Sequence, residues 1–135
     1  IYELIENDLP LLIHCGDPRY NYSAPRRIAN IHKNFPKLRL IAAHLGGYQR
    51  WDEAEECLEG SEYVKFDVSS SMAFMTPERA AHLVRKYGVE NCFFGSDFPM
   101  WSHEEELERF LALGFTEAEN RRILSDNFKE FMGIE

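Results

Sequence analysis

The sequence predicts an α/β fold of parallel strands with helices packed outside the sheet. Four short apolar runs, at 8–16, 37–47, 62–71 and 91–97, alternate with amphipathic segments of helical period. The first two runs are apolar almost throughout, as strands buried on both faces must be. Polar residues close the runs at a regular interval. His14 and His44 stand 30 residues apart, as do Asp67 and Asp97, and that interval is one strand–helix unit long. No sequence identity accompanies the period, so it is a repeat of architecture and not of motif.

The run DLPLLIHCG is bounded by Pro10 and Gly16 and ends on His14, which reads as a buried strand with a polar terminus. A polar loop, DPRYNYS, follows. In APRRIANIHKNF, Pro25 suits a first helical turn, and Ile28, Ile31 and Phe35 recur at helical spacing. KLRLIAAHLGG repeats the strand pattern: Leu38, Leu40, Ile41, Ala42 and Ala43 lead to His44 before Gly46 and Gly47 break the run. YQRWDEAEECLE is the next helix, with Trp51, Ala54 and Leu58 on one face. EYVKFDVSSS places Val64, Phe66 and Val68 in alternation before three serines and reads as a third strand. Thr76 and Pro77 open a helix through Ala80, Leu83, Val84 and Tyr87, with Thr as N-cap and Pro at the first helical position. NCFFGSD is the fourth strand, ending on Asp97 ahead of Pro99. Ser102 with Glu105 and Thr116 with Glu119 form capping boxes. The first opens a helix carrying Leu107, Phe110 and Leu111, and the second a last helix through Ile123 and Leu124 to Phe131.

A chain of 135 residues is expected to form a single domain over 1–135, and ten Phe with six Tyr and two Trp supply enough apolar surface to exclude disorder. Fifteen basic residues against 23 acidic give a net charge of −8, which argues against nucleic acid or an anionic membrane as the principal partner. Cys15, Cys57 and Cys92 are odd in number and lack C-x-x-C spacing, so neither a disulfide framework nor a zinc finger is indicated, and a reducing, cytoplasmic setting is expected. No apolar run approaches the ~20 residues of a membrane span. The first residue is Ile1 and not Met, which suggests processing or a piece of something longer.

In parallel α/β folds, ligands and chemistry gather at the C-terminal ends of the strands. Three of the four strands here end in a titratable residue, His14, His44 and Asp97. Each alone has a plain explanation, as a satisfied polar residue or a helix cap. Pro99 and the later cap at Ser102 leave Asp97 too far ahead to cap the following helix. Imidazole and carboxylate on one rim suit zinc and related metals, so the set points to a metal hydrolase site.

The words LLIHCG, IAAHLGG and FFGSDFPM, in this order and spacing, resemble strands five, six and eight of the amidohydrolase superfamily, metal-dependent hydrolases on a (β/α)8 barrel. More narrowly they resemble its amidohydrolase-2 branch, which includes predicted TIM-barrel metal-dependent hydrolases and metal-dependent decarboxylases related to aminocarboxymuconate semialdehyde decarboxylase. The resemblance covers nearly the whole chain. It implies that the chain is the C-terminal half of the barrel, strands five to eight with their helices. It implies that His14 ligates a metal, that Asp97 ligates metal and exchanges a proton with the attacking water, and that His44 is catalytic, binding a second metal or facing the substrate. The implied cofactor is a divalent metal, zinc or alternatively manganese. One departure stands out: the family's first strand supplies an H-x-H pair, and this chain has no H-x-H among its five histidines. Half a barrel would expose two strand edges and the inner face of its sheet, so a second copy or the remainder of the barrel is the expected partner.

Around this set, the loop after His14 offers Arg19 and Tyr20 as substrate-binding residues, since an Arg fork suits a carboxylate, along with Asp17 and Tyr22. One of Ser69, Ser70 and Ser71 should point into the rim. His103 follows the fourth strand within reach of a substrate, whereas His32 and His82 belong to helix flanks. Cys15 adjoins His14 and so points to the opposite face, which removes a Cys–His nucleophile pair. FGSDF lacks the last Gly of a nucleophile elbow, and Gly46-Gly47 lacks dinucleotide-loop spacing.

The resulting expectation is a metal-dependent hydrolase acting on a small carboxylated or cyclic substrate through metal-activated water. Metal-dependent non-oxidative decarboxylation is the near alternative. A TatD-like metal-dependent nuclease shares the His, His, Asp layout but is disfavoured by the charge. A half-barrel inactive in isolation is the non-enzymatic alternative.

Overall fold

A computed structural model describes residues 1–135. Four strands, β1 (Leu11–Ile13), β2 (Leu40–Ala42), β3 (Val64–Asp67) and β4 (Cys92–Phe93), form one parallel sheet in sequence order. Leu11 pairs with Leu40, Leu40 with Val64, and Phe66 with Cys92. The regular strands are shorter than the apolar runs, because each run continues into a loop that carries its polar end residue. His14 follows β1 directly, His44 lies two residues past β2, and Asp97 lies four past β4.

Side chains alternate across the sheet. Leu40, Ala42, Val64, Phe66 and Cys92 join Ile28, Leu83, Val84 and Phe110 in the main core under the helices. Within it Phe66 stacks on Tyr87 with ring centroids 3.8 Å apart, and the Tyr87 hydroxyl donates to Leu45 O at 3.1 Å. The opposite face carries Leu12, Ile41, Lys65, Asp67 and Phe93. Ile41 and Phe93 are covered by Phe131, while Leu12 remains 62% exposed.

The helices begin where local chemistry starts them. α1 (Tyr2–Glu6) precedes β1 and was not legible in the sequence. α2 (Pro25–Asn34) starts on Pro25 and buries Ile28; α3 (Trp51–Cys57) buries Ala54. Short 3₁₀ turns span Met72–Phe74 and Val89–Asn91. In α4 (Pro77–Tyr87) the Thr76 hydroxyl accepts from Arg79 N–H, Pro77 has no N–H that needs an acceptor, and Gly88 ends the helix at φ 94°. α5 (His103–Leu111) is capped by Ser102, which accepts from Glu105 N–H, but only the Thr116–Glu119 pair at the start of α6 (Glu117–Arg121) completes a reciprocal box.

The expected last helix is interrupted. Residues Arg122–Asp126 are π-helical before α7 (Asn127–Met132) resumes the α-helix. This irregular segment lies on the outer edge of β4. Phe94 N–H donates to Ile123 O at 2.8 Å, and the buried Asn127 donates through Nδ2 to Cys92 O at 2.9 Å and Val89 O at 2.7 Å. The expectation of two unpaired strand edges is therefore corrected. The C-terminal segment meets Cys92 O and Phe94 N–H on the outer side of β4, while β1 carries no such cover. No helix is long and apolar enough to cross a membrane.

Candidate active site

A cavity of about 760 Å³ opens at the C-terminal ends of the strands. Its polar wall is made of His14, His44, Asp67, Ser69, Ser70 and Asp97; its apolar wall includes Tyr48, Phe74 and Trp101. All three strand-end residues read from the sequence thus face one space.

The two imidazoles touch. His44 Nε2 lies 3.0 Å from His14 Nδ1, with ring planes at 67°. The outer nitrogens meet acceptors: His14 Nε2 donates to Gly16 O at 2.7 Å, and His44 Nδ1 sits 3.1 Å from Ser69 O and 3.0 Å from Ser69 Oγ. The Ser69 hydroxyl is itself given to Asp67 Oδ1, so its oxygen accepts from His44. Three contacts therefore need three N–H hydrogens where two neutral rings carry two.

Asp67 is the hub beneath His44. Its Oδ1 also accepts from His44 N–H at 3.2 Å and Ser69 N–H at 2.9 Å. Burial pushes the Asp67 carboxyl up, against the opposing pull of the Ser69 hydroxyl and the neighbouring His44. Asp97 stands on the other side of the cavity, where Oδ2 accepts from Ser70 Oγ at 2.7 Å; that hydroxyl accepts in turn from Trp101 Nε1 at 3.0 Å.

The backbone around the site is strained. His44, Leu45, Ser70 and Asp97 have φ of 61°, 49°, 49° and 57°, the left-handed region that non-glycine residues seldom occupy. Such strain persists where the surroundings over-determine it. Trp51 Nε1 bonds His44 O at 2.8 Å and Leu45 N–H bonds Asp67 O at 2.7 Å, which pins the turn after β2 to both neighbours.

The remaining sequence candidates separate clearly. Arg19 and Tyr20 lie outside the cavity wall: Arg19 is exposed, paired with Asp17 at 3.7 Å, and its guanidinium sits 5.4 Å from the Tyr20 ring centroid. His103 Nδ1 contacts Ser96 Oγ at 2.6 Å at the start of α5, away from the cavity wall. His82 Nε2 contacts Glu55 on the helix surface at 2.6 Å. Cys15 points into the core as expected, where burial pushes its thiol up and leaves it unreactive. Ser69 and Ser70 are the serines that reach the rim. Tyr48, Phe74 and Trp101 were not singled out as cavity residues. Tyr48 lies 6.0 Å from His44 and 5.3 Å from Phe74 between ring centroids, and only the glycines before it hinted at a chain turning into the rim.

In kind, the donors fit a divalent metal, since imidazole nitrogen and carboxylate oxygen are its usual protein ligands. In number they form part of a set, because no three His, Cys, Asp or Glu side chains converge within this chain.

A family model described as amidohydrolase matches residues 1–133. No curated protein matches the chain. Among solved structures, an uncharacterised TIM-barrel protein from Bordetella bronchiseptica is similar at 17% identity and a TM-score of 0.78, over 98% of this chain and 48% of that one. An amidohydrolase from Burkholderia multivorans with bound zinc is 14% identical, TM-score 0.70, over 98% and 55%. A dihydroxybenzoic acid decarboxylase from Polaromonas with bound manganese is 13% identical, TM-score 0.67, over 98% and 52%. The chain spans about half the length of the solved structures it matches, and its four parallel strands with outer helices have the architecture of half a TIM barrel.

Proposed function

The chain belongs to the amidohydrolase family, and from that premise we propose that it serves a metal-dependent hydrolase acting on a small carboxylated or cyclic substrate. The observation that carries this reading is the meeting of His14, His44 and Asp97 on one cavity at the strand ends. His14, on exchanging its contact to Gly16 O or His44 for the metal, and Asp97 would hold a divalent ion, zinc or manganese, with further ligands from outside this chain. Bound there, the metal supplies Lewis acidity that brings the ionisation of water to ~7.

The chain's own groups then have distinct tasks. Asp97 keeps Oδ2 on Ser70, so Oδ1 is the atom that takes a proton from attacking water. His44 is held through Nδ1 on Ser69, and its Nε2 is the atom that can meet the substrate once it leaves His14. Tyr48, Phe74 and Trp101 exclude water from one wall and pack against an apolar part of the ligand. Arg19 and Tyr20 would engage a substrate carboxylate only by folding in from the exposed loop.

Decarboxylation is the second reading, favoured by the likeness to a decarboxylase of the same fold. The open β1 edge and the exposed Leu12 support assembly with the rest of a barrel or with a second copy. Three free cysteines, two of them buried, support a reducing, cytoplasmic setting.

The test is metal content of the whole polypeptide purified with zinc or manganese, followed by assays for lactone, amide or ester hydrolysis and for carbon dioxide release. Retained metal and activity in both His14→Ala and Asp97→Asn would refute the proposal.

A further inference from the structure

The end of β3 and the turn after it contribute nothing to the catalytic set proposed above, yet they touch two members of it. Asp67 Oδ1 binds the N–H of His44, the N–H of Ser69 and the Ser69 hydroxyl. Ser69 Oγ in turn meets His44 Nδ1 at 3.0 Å, and Ser70 Oγ meets Asp97 Oδ2 at 2.7 Å. From these contacts we propose that Asp67, Ser69 and Ser70 are positioning residues: Ser69, fixed by Asp67, sets the ring of His44, and Ser70 sets the carboxylate of Asp97. The inference rests on the reading of His44 and Asp97 as the catalytic pair.

Both serines are withdrawn from water, at 4% and 5% exposure, so each hydroxyl must find a protein partner. The partners they have are the site groups and the side chains that brace them. Ser69 donates to Asp67 and accepts from His44; Ser70 donates to Asp97 and accepts from the Trp101 indole. The hydroxyls thus use both capacities within the site. Ser70 also holds a backbone φ of 49°, which a glycine would adopt without strain, but glycine would delete the hydroxyl that Asp97 and Trp101 share. Two consecutive residues reaching two different catalytic groups make this short turn a common reference for both. The spacing of His44 and Asp97 across the cavity is then set by one rigid piece of backbone.

The experiment is nuclear magnetic resonance of the isotopically labelled, metal-free full chain. Long-range proton–nitrogen spectra report the His44 ring nitrogens, and the indole N–H signal reports the Trp101 bond. In Ser69→Ala, the His44 Nδ1 resonance should move while amides outside 43–46 and 67–71 stay in place. Ser69→Thr, which keeps the hydroxyl, should restore it. In Ser70→Ala, the Trp101 indole N–H and the Asp97 carboxyl carbon should both shift, with the His44 ring unchanged. Unmoved His44 resonances in a folded Ser69→Ala, or an equal displacement in Ser69→Thr, would overturn the proposal and leave the functional reading intact. Full activity in His44→Asn would remove the functional reading without altering these spectra.

Discussion

His44 Nε2 lies 3.0 Å from His14 Nδ1, so the ends of β1 and β2 are joined by a direct contact between imidazoles. Neither ring can rotate without releasing the other. Because His44 is buried to 6% exposure and His14 faces the open cavity, the pair links the protein interior to the cavity at the strand ends.

Replacing His44 by Asn should therefore separate chemistry from metal binding. Turnover by the whole polypeptide should fall by ~10²–10³, the usual worth of one group positioned to stabilise developing charge. Metal content should stay within error of the parent, since His44 is not among the proposed ligands. Simultaneous loss of metal would reassign His44 as a ligand.

Gly16 supplies the carbonyl that holds His14, at φ 84°, and a Cβ there would sit 2.4 Å from Tyr48 N. Gly16→Ala should destabilise the chain by about 1–3 kcal/mol, as expected for a left-handed residue with a backbone clash. Urea unfolding measures this. Zinc affinity should weaken as well, because the loop that orients His14 must move.

Asn127 is a third point of leverage. Asn127→Ala leaves two backbone acceptors, Val89 O and Cys92 O, without their side-chain donor, at a cost of about 2–4 kcal/mol. Light scattering should also show stronger self-association, as the outer edge of β4 loses its cover. A variant as stable and as dispersed as the parent would show that the backbone bond from Phe94 to Ile123 seals the edge alone.

The pair Arg85–Glu119 ties α4 to α6 at 2.8 Å. The Arg85 guanidinium, with the Thr116 N–H, holds the Glu119 carboxyl down to about 2. A depressed folded value means that its stabilisation is complete above the ordinary carboxylate range and is lost as pH falls toward 2. Thermal unfolding between pH 5 and 2 should thus be less steep in Glu119→Gln than in the parent. Identical slopes would mean that the exposed pair contributes nothing measurable.

Much of this architecture was legible in the sequence because its signals are local. Pro25, Thr76 with Pro77, and Thr116 with Glu119 each start a helix through their own backbone chemistry, and alternation in β3 marked Val64 and Phe66 as core. The cavity residues His14, His44 and Asp97 were legible because each ends an apolar run. What stayed hidden depends on tertiary paths. α1 has no capping side chain and only five residues, so nothing local announces it. The π-helical turn at 122–126 leaves the apolar spacing almost unchanged, and its reason lies in the edge of β4. Glu106, in the first turn of α5, is fully buried against Arg109, whose guanidinium lies 5.0 Å from the Trp101 ring centroid, and no local signal marks that burial. Asp67 was read only as a periodic counterpart of Asp97; its grip on His44 needed β2 and β3 side by side.

The cover over β4 has a consequence for how copies of this chain can meet. A sheet with two open sides can add neighbours without end and grow into fibres. With one side closed by Ile123 and Asn127, edge-to-edge pairing of this chain alone would stop at two copies. The same few residues that lead into the last helix would thus act as a chain terminator, leaving the adhesive surface on the side of β1 and Leu12.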